Sequence, residues 1–490
     1  MQTRAQSSLE AFVDFLFSLA VCRREASVET PTACYTMGMT RKFKTVDYEA
    51  TLNMTVSLRE ALPPSPLARF VADVIAQLDL SSLYARYGTR GGEPFAPEIL
   101  LGLLFYGYAT GVFSARRIEK ATYEALPFRF LAGDLHPDHD TIAHFRKTFL
   151  PELKDLLVQV LLLAQAAGVL KLGNLSLDGT KIHADASKSH AVSSTRLLEL
   201  EHQVRAEVEA LFALSEQADQ KPLPEGLVLA DEIARRQERR ANLAQAKAVL
   251  EARAQERYQA ERAEYEAKLH AREEKARQQR RKPRGPTPKP PQPGPRAKEQ
   301  YNFTAPESRI LKNSTNDGFD QHYNAQVATA HGSLLMVAHS LSHHANDQAE
   351  VAPTLDTLPE ALGTPSAGAL DTGYFSAANI AALEQRGLEP SIAVGRQPHH
   401  HHGSAYCAQP PALPPDDASP LVKMAYKLRT EIGQAIYRLR TCTVEPVLGI
   451  IKEGLGFRQF SLRGLAAAAE EWCLVCLAFN LKRLHVLLAD

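Results

Sequence analysis

The strongest constraint on this chain is an interruption. Strand-like alternation of apolar and polar residues is present at 170–190, stops, and resumes at 309–342. Between these stretches, residues 195–282 are dominated by Ala, Glu, Arg, Gln and Lys with sparse apolar positions, and PRGPTPKPPQPGPR comes next. A run so poor in apolar residues predicts a long exposed helix or helical hairpin, with KPLPEG (221–226) as its turn. The proline segment cannot hold a helix and reads as an extended linker of polyproline type. A single core must therefore be assembled from 171–190 and 301–490, with 191–300 inserted between them. A coiled-coil dimerisation arm, a DNA-embracing arm and a merely solvated helix pair all fit the insertion. Its tail is basic, with Arg277, Arg280, Arg281, Lys282 and Arg284.

Composition narrows the class. At 490 residues the chain is too long for one simple core, and 44% hydrophobic with 23% charged residues describes a soluble globular protein rather than a disordered one. The 56 basic and 56 acidic residues cancel, which leaves nucleic acid open as a partner, because a local basic patch is the relevant footprint. Six scattered cysteines form no secreted-type framework and fit a reducing cytoplasm. Cys473-x-x-Cys476 sits in an apolar helical run without a second ligand pair, so both cysteines are expected in the core. The longest apolar stretch, Leu156–Leu170, is interrupted by Gln159 and Gln165 and falls short of the ~20 residues a membrane helix needs. Residues 1–38 lack continuity with the segment from residue 39 onward, and Met39 or Met37 is the expected start of the native chain.

Residues 39–170 read as helical. PEILLGLLFYGYATGVFSARRIEKA opens on Pro97 and Glu98, both suited to a first turn. In PDHDTIAHFRK, Asp138 or Asp140 can cap a helix whose Ile142, Phe145 and Phe149 share a face. Arg116, Arg117 and Lys120 on one helix, and Arg146 and Lys147 on the next, fit either duplex contact or a solvated face.

Three acids stand out in the remainder. Leu175 and Leu177 alternate with Ser176 and Asp178, and Asp178-Gly179 predicts a strand end and turn. Asp371 follows the short apolar strand AGAL and precedes Gly373. Glu445 lies in YRLRTCTVEPVLGIIKEGLGF; in one continuous helix Arg438, Glu445 and Lys452, seven residues apart, would share a face. If a helix instead began at Pro446, Glu445 would be its cap. Around these acids, Asn316-Asp317-Gly318 and His331-Gly332 read as turns between strands, Leu355–Leu362 as a helix, and His399–His402 as a solvated or DNA-facing loop. Two-metal phosphodiester chemistry needs clustered carboxylate oxygens around two hard cations, for which Mg²⁺ or Mn²⁺ is the natural choice. No phosphate-binding Gly loop suggests a nucleotide cofactor.

The motifs PFAPEILLGLLFYGYATGVFSARRIEKA, PDHDTIAHFRK, LSLDGTKIHADAS, DGFDQHYNAQ, LDTGYFSAANIAALEQRG, AVGRQPHH and VEPVLGIIKEGLGFRQFSLRGLAAAAEEWCLVCLAFNLKRL occur in that order. Together they resemble the DDE-class transposases of bacterial insertion sequences, from about Leu58 to the C-terminus. The resemblance implies an α/β fold with an RNase H-like catalytic core, a mixed sheet flanked by helices. It also implies an all-α N-terminal domain that binds the element's terminal inverted repeats. The metal-binding and catalytic acids would be Asp178, Asp371 and Glu445, holding two Mg²⁺ or Mn²⁺ ions. The family's C-terminal signature of Tyr, Arg, Glu and Lys falls on Tyr437, Arg440, Glu445 and Lys452, but the Arg-to-Glu gap is one residue longer here, so Arg438 and Arg440 compete for the phosphate. Asp185 is not counted as a ligand. Asn324 and Gln326 fall on a strand near the site, where a satisfied polar strand face fits equally well.

The expected DNA contacts are Lys181, Arg396, Tyr437, Arg438, Arg440 and Lys452 in the core, and Arg116, Arg117 and Arg146 in the helical domain. The expected reaction is hydrolysis at the element's end followed by attack of the freed 3′-hydroxyl on target DNA, by at least a dimer in the cytoplasm. The rival readings are a non-catalytic, decayed or domesticated DNA-binding protein and an RNase H-like nuclease without strand transfer.

Overall fold

Residues 174–183 do not turn at Gly179 but run as one strand, β1 (Asn174–His183). Gly179 pairs with Gln326 of the neighbouring strand, and its φ is not among the positive values at which glycine is needed for a turn. The reason for glycine is space: a Cβ there would lie 2.1 Å from Gln326 Nε2 and 2.9 Å from Asp347 Oδ1. The computed structural model describes residues 44–48, 57–63, 66–88, 92–218, 228–279, 286–312, 318–395 and 413–489. The 1–38 extension with Met37 and Met39, KPLPEG, Asn316-Asp317, Arg396 and His399–His402 lie outside the described residues.

Contacts divide the chain into two units, one running to Asp185 and resuming at Leu311, the other spanning Ala186–Ile310. The first unit opens with helices α1 (Leu67–Ile75), α2 (Pro97–Ala109), α3 (Ala115–Glu124), α4 (His139–Phe149) and α5 (Leu153–Ala166). Pro97 occupies the first turn of α2, where a missing N–H costs nothing. Asp138 accepts from the Thr141 N–H at 2.8 Å at the start of α4, as its sequence suggested. Leu156, Val160, Leu161 and Ala164 of α5 are buried, the core helix expected from that apolar stretch.

The sheet is mixed. It is built from β1, β4 (Arg309–Lys312), β5 (Phe319–Ala330), β6 (Met336–Ser342), β7 (Ala367–Leu370) and β8 (Glu389–Ile392). The order is β4-β5-β1-β7-β8, with β6 also paired to β5. β1 is antiparallel to β5 and parallel to β7, which is parallel to β8. β5 is buried from Asp320 to Ala330, so its polar residues must find partners inside. The expected helix at Leu355–Leu362 resolves into Val351–Leu355 and a short 3₁₀ turn, Glu360–Leu362, because Pro359 cannot supply the N–H that would join them.

Three longer helices of this unit follow, α8 (Ala377–Gln385) before β8 and, after it, α9 (Glu431–Gly449) and α10 (Leu465–Ala489). α10 is long and apolar enough to cross a membrane by length and composition. In the fold it is the core helix, packed against β6, α1, α2 and α5. Trp472, Cys473 and Cys476 are fully buried, which bears out the core reading of both cysteines. Asn480 pairs with the backbone of Met336 on β6, donating at 2.8 Å and accepting at 2.9 Å.

The second unit holds α6 (Ser194–Ala218) and α7 (Leu229–Gln279) beside a two-stranded ribbon of β2 (Ala191–Ser193) and β3 (Gln300–Asn302). Leu197, Val204 and Val208 pack with Leu243, Ala246, Leu250 and Tyr301. Those spacings of three, four and seven residues are a narrow helical seam. The pairs Lys247–Glu201 and Arg236–Glu207 show that the helices run antiparallel.

Candidate active site

β1 and β7 place the first two acids. Leu177 is in register with Leu370 on the parallel neighbour, so Asp178 and Asp371, the next residues, emerge side by side. Asp178 Oδ1 accepts from the Gly179 N–H at 2.8 Å, and Asp371 caps the short 3₁₀ turn Thr372–Tyr374 through the Thr372 N–H. The expected matching settings hold in part: Asp371 follows the end of its strand, whereas Asp178 lies within a longer one.

Helix α9 crosses β1, β5, β7 and β8 and brings the third acid. It runs unbroken through Pro446, so Glu445 lies inside the helix rather than capping one, and a single π-turn, Ile450–Gly454, follows. Arg440 Nη1 donates to Asp178 Oδ2 at 2.9 Å and Nη2 donates to Glu445 Oε1 at 2.7 Å. One planar guanidinium thus joins two acids 267 positions apart in the chain, Asp178 and Glu445. Arg438 instead reaches Gln434 on the exposed side of α9, at 3.3 Å. Helix phase separates the two arginines: Arg440 faces the acids and Arg438 faces outward. The Arg440 guanidinium also lies 6.0 Å from the Tyr437 ring centroid.

The electrostatics are those of a site short of positive charge. Burial pushes the Asp178 carboxyl up to about 6, and Asp371 and Asp347 add to the rise against the pull of Arg440 and the Gly179 N–H. The side chain is only 19% exposed, so desolvation outweighs its ion pair. Lys452, in the π-turn, is held below its ordinary pKa by burial and by nearby Arg458 and Lys181. The donor set is all oxygen, which fits a hard divalent cation. Among the described residues no three His, Cys, Asp or Glu side chains stand close enough together to hold a metal ion; Arg440 occupies the space between Asp178 and Glu445.

Residues 56–148 match the family described as Transposase domain (DUF772), and residues 416–485 match the Transposase DDE domain. The second segment contains Tyr437, Arg440, Glu445 and Lys452, the residues just placed against Asp178 and along the following turn. These two matches support an insertion-sequence transposase of the DDE class. No curated protein and no solved structure matches it. Asp178 and Asp371 lie outside both matched segments, and strand register together with the Arg440–Asp178 pair brings them to the matched DDE segment.

Other expected contacts of the transposase fare unequally. Arg116 and Arg117 of α3 are exposed. Arg146 is not: it is 8% exposed and donates to Tyr108 Oη at 2.9 Å and to the Phe113 carbonyl at 3.1 Å. Tyr108 in turn donates to Glu471 of α10 at 2.8 Å. Arg146 is therefore a structural cation inside the protein and does not face DNA as expected. Lys181 Nζ donates to the Lys312 carbonyl at 3.0 Å. Asp185 pairs with Arg463 at 2.7 Å. Asn324 and Gln326 do lie beside the acids, and both donate to Asp347, at 2.7 and 2.8 Å. Asp347 was missed: within SHHANDQAE it resembles an ordinary Asn-Asp turn.

Proposed function

We propose that this transposase binds the terminal inverted repeats of its element and cleaves and joins DNA with Asp178, Asp371 and Glu445 as its catalytic acids. The observation that carries the reading is the meeting of Asp178 and Asp371 on adjacent parallel strands with Arg440 tying Asp178 to Glu445. The mixed sheet and its helices fit an RNase H-like core, and the helix pair of 186–310 fits an insertion within it. Asp178, Asp371 and Glu445 would hold two Mg²⁺ or Mn²⁺ ions once the Arg440 guanidinium turns away from the two carboxylates it joins. Bound there, such ions activate the attacking oxygen and steady the leaving oxygen of an in-line displacement.

The chain's own residues supply the rest. Asp178 and Asp371 are fixed by backbone N–H groups, which costs no reorganisation on substrate binding. Arg440 keeps Asp178 and Glu445 oriented, and its guanidinium is placed to turn from carboxylate to phosphate, for which its fork is equally suited. Lys452 and Lys181 supply positive charge for the DNA backbone, and Tyr437 flanks Arg440. Arg116 and Arg117 on α3 suit phosphate contacts to the repeat. Recombination of two ends requires at least two chains in the complex.

Asp178→Asn tests the assignment on a labelled element end in Mg²⁺. Cleavage is expected to fall by at least about 100-fold with repeat binding retained by gel shift. Cleavage at the wild-type rate sinks the assignment. Cleavage of the element end by the wild-type protein with no joining of the freed 3′-hydroxyl to target DNA would favour the nuclease reading.

A further inference from the structure

Each of the first two acids is followed closely by a glycine, Asp178 by Gly179 and Asp371 by Gly373. Both glycines face one carboxylate. A Cβ on Gly179 would lie 2.9 Å from Asp347 Oδ1, and one on Gly373 would lie 3.6 Å from Asp347 Oδ2. Asp347 is thus seated between the two chain segments that carry the acid pair, contributed by the loop after β6. Its Oδ1 accepts from Asn324 Nδ2 at 2.7 Å and from Gln326 Nε2 at 2.8 Å. Gln326 Nε2 also donates to Asn324 Oδ1 at 3.1 Å, and Gln326 Oε1 accepts from Tyr374 Oη at 2.5 Å. Tyr374 is fully buried and lies three residues beyond Asp371. The Gln326 carbonyl accepts from Trp472 Nε1 of α10 at 3.1 Å. Every polar atom of the Gln326 side chain is therefore used, and its amide orientation is dictated by an acceptor on one side and a hydroxyl donor on the other.

We propose that Asp347 is a positioning residue of the acid pair: wedged between Gly179 and Gly373, it locks the Asn324–Gln326–Tyr374 network and so fixes the spacing of Asp178 and Asp371 for a divalent cation. This rests on the reading of Asp178 and Asp371 as metal-holding acids. The role belongs to the hydrogen bonds of Asp347 more than to its charge, since Oδ1 alone carries both amide contacts. Asparagine can keep those contacts through its own Oδ1, whereas alanine cannot.

The test is Mn²⁺ binding to the full-length transposase, followed by electron paramagnetic resonance, without DNA or turnover. The single tryptophan, Trp472, reports by fluorescence whether each variant keeps its core. Asp347→Ala is expected to weaken Mn²⁺ binding by about tenfold or more, the usual effect of removing a group that orients metal ligands. Asp347→Asn is expected to stay within about threefold of wild type. Asn324→Ala, which removes the Asn324 contacts to Asp347 and to Gln326 and leaves Asp347 in place, is expected to weaken binding severalfold and serves if alanine at 347 unfolds the chain. Wild-type affinity in Asp347→Ala or Asn324→Ala, with Asp178→Asn impaired, overturns the inference and leaves the metal reading standing. Equal loss in Asp347→Asn and Asp347→Ala overturns it as well, by assigning the effect to charge. Undiminished binding in Asp178→Asn overturns the metal reading itself.

Discussion

Arg440 shows how a single side chain can decide a site. Its side chain is 11% exposed and its guanidinium spans Asp178 and Glu445, while Arg438, two residues earlier, points away and pairs with Gln434 of its own helix. Two residues along a helix correspond to about 200° of rotation, enough to put neighbours on opposite faces. Arg440→Ala is expected to lower end cleavage by about 100-fold or more, in line with removing a charge-stabilising donor; Arg438→Ala should stay within a few-fold. Rates measured side by side on one labelled end check this, and equal losses would contradict the phase argument. Arg146 teaches the converse. The sequence offered it as a basic residue on a helix face, and its burial against Tyr108 and, through it, Glu471 came from α10, more than 300 residues away.

At the level of elements, α10 joins the sheet to the N-terminal helices. Its sequence already marked it as a buried helix, through an apolar run in which Cys473 and Cys476 fall among leucines. What it binds was not readable: Asn480 reads the backbone of β6, and Glu471 accepts from Tyr108 and from the N–H groups of Ser461 and Leu462. Asn480→Leu keeps the volume but strands the Met336 N–H and C=O in the core. Each unpaired backbone group costs ~1–3 kcal/mol, so a loss of ~2–6 kcal/mol is expected, measurable as a lower urea midpoint. Helix α9 is the other lesson. Pro446 suggested a helix start, but the first-turn tolerance of proline is only one of its settings, and here a continuing helix accommodates it and is followed by a π-turn.

Across the whole molecule, buried histidines tie stability to pH. Burial, with Lys154 nearby, lowers the His339 pKa from 6.5 to about 4, and burial also lowers that of His322 to about 4. Both are neutral in the fold, while the unfolded chain takes up the protons below about 6.5. Their contribution is therefore full above pH 6.5 and lost as pH falls from 6.5 towards 4, by about 3 kcal/mol for each. Thermal melting is expected to drop between pH 7.5 and pH 5 in wild type and to drop less in His339→Asn; parallel curves for the two would refute the coupling. The sequence by itself determined most of the order of helices and strands and singled out the candidate acids, because periodicity, caps and breakers act over a few residues and are written locally. Only the tertiary structure decided that Gly179 sits within a strand, that Arg440 rather than Arg438 meets the acids, that Arg146 is internal, and that Asp347 stands between the acid-bearing segments. Those outcomes depend on which residues distant in the chain meet when the sheet pairs β1 with both β5 and β7, and no local pattern encodes that meeting.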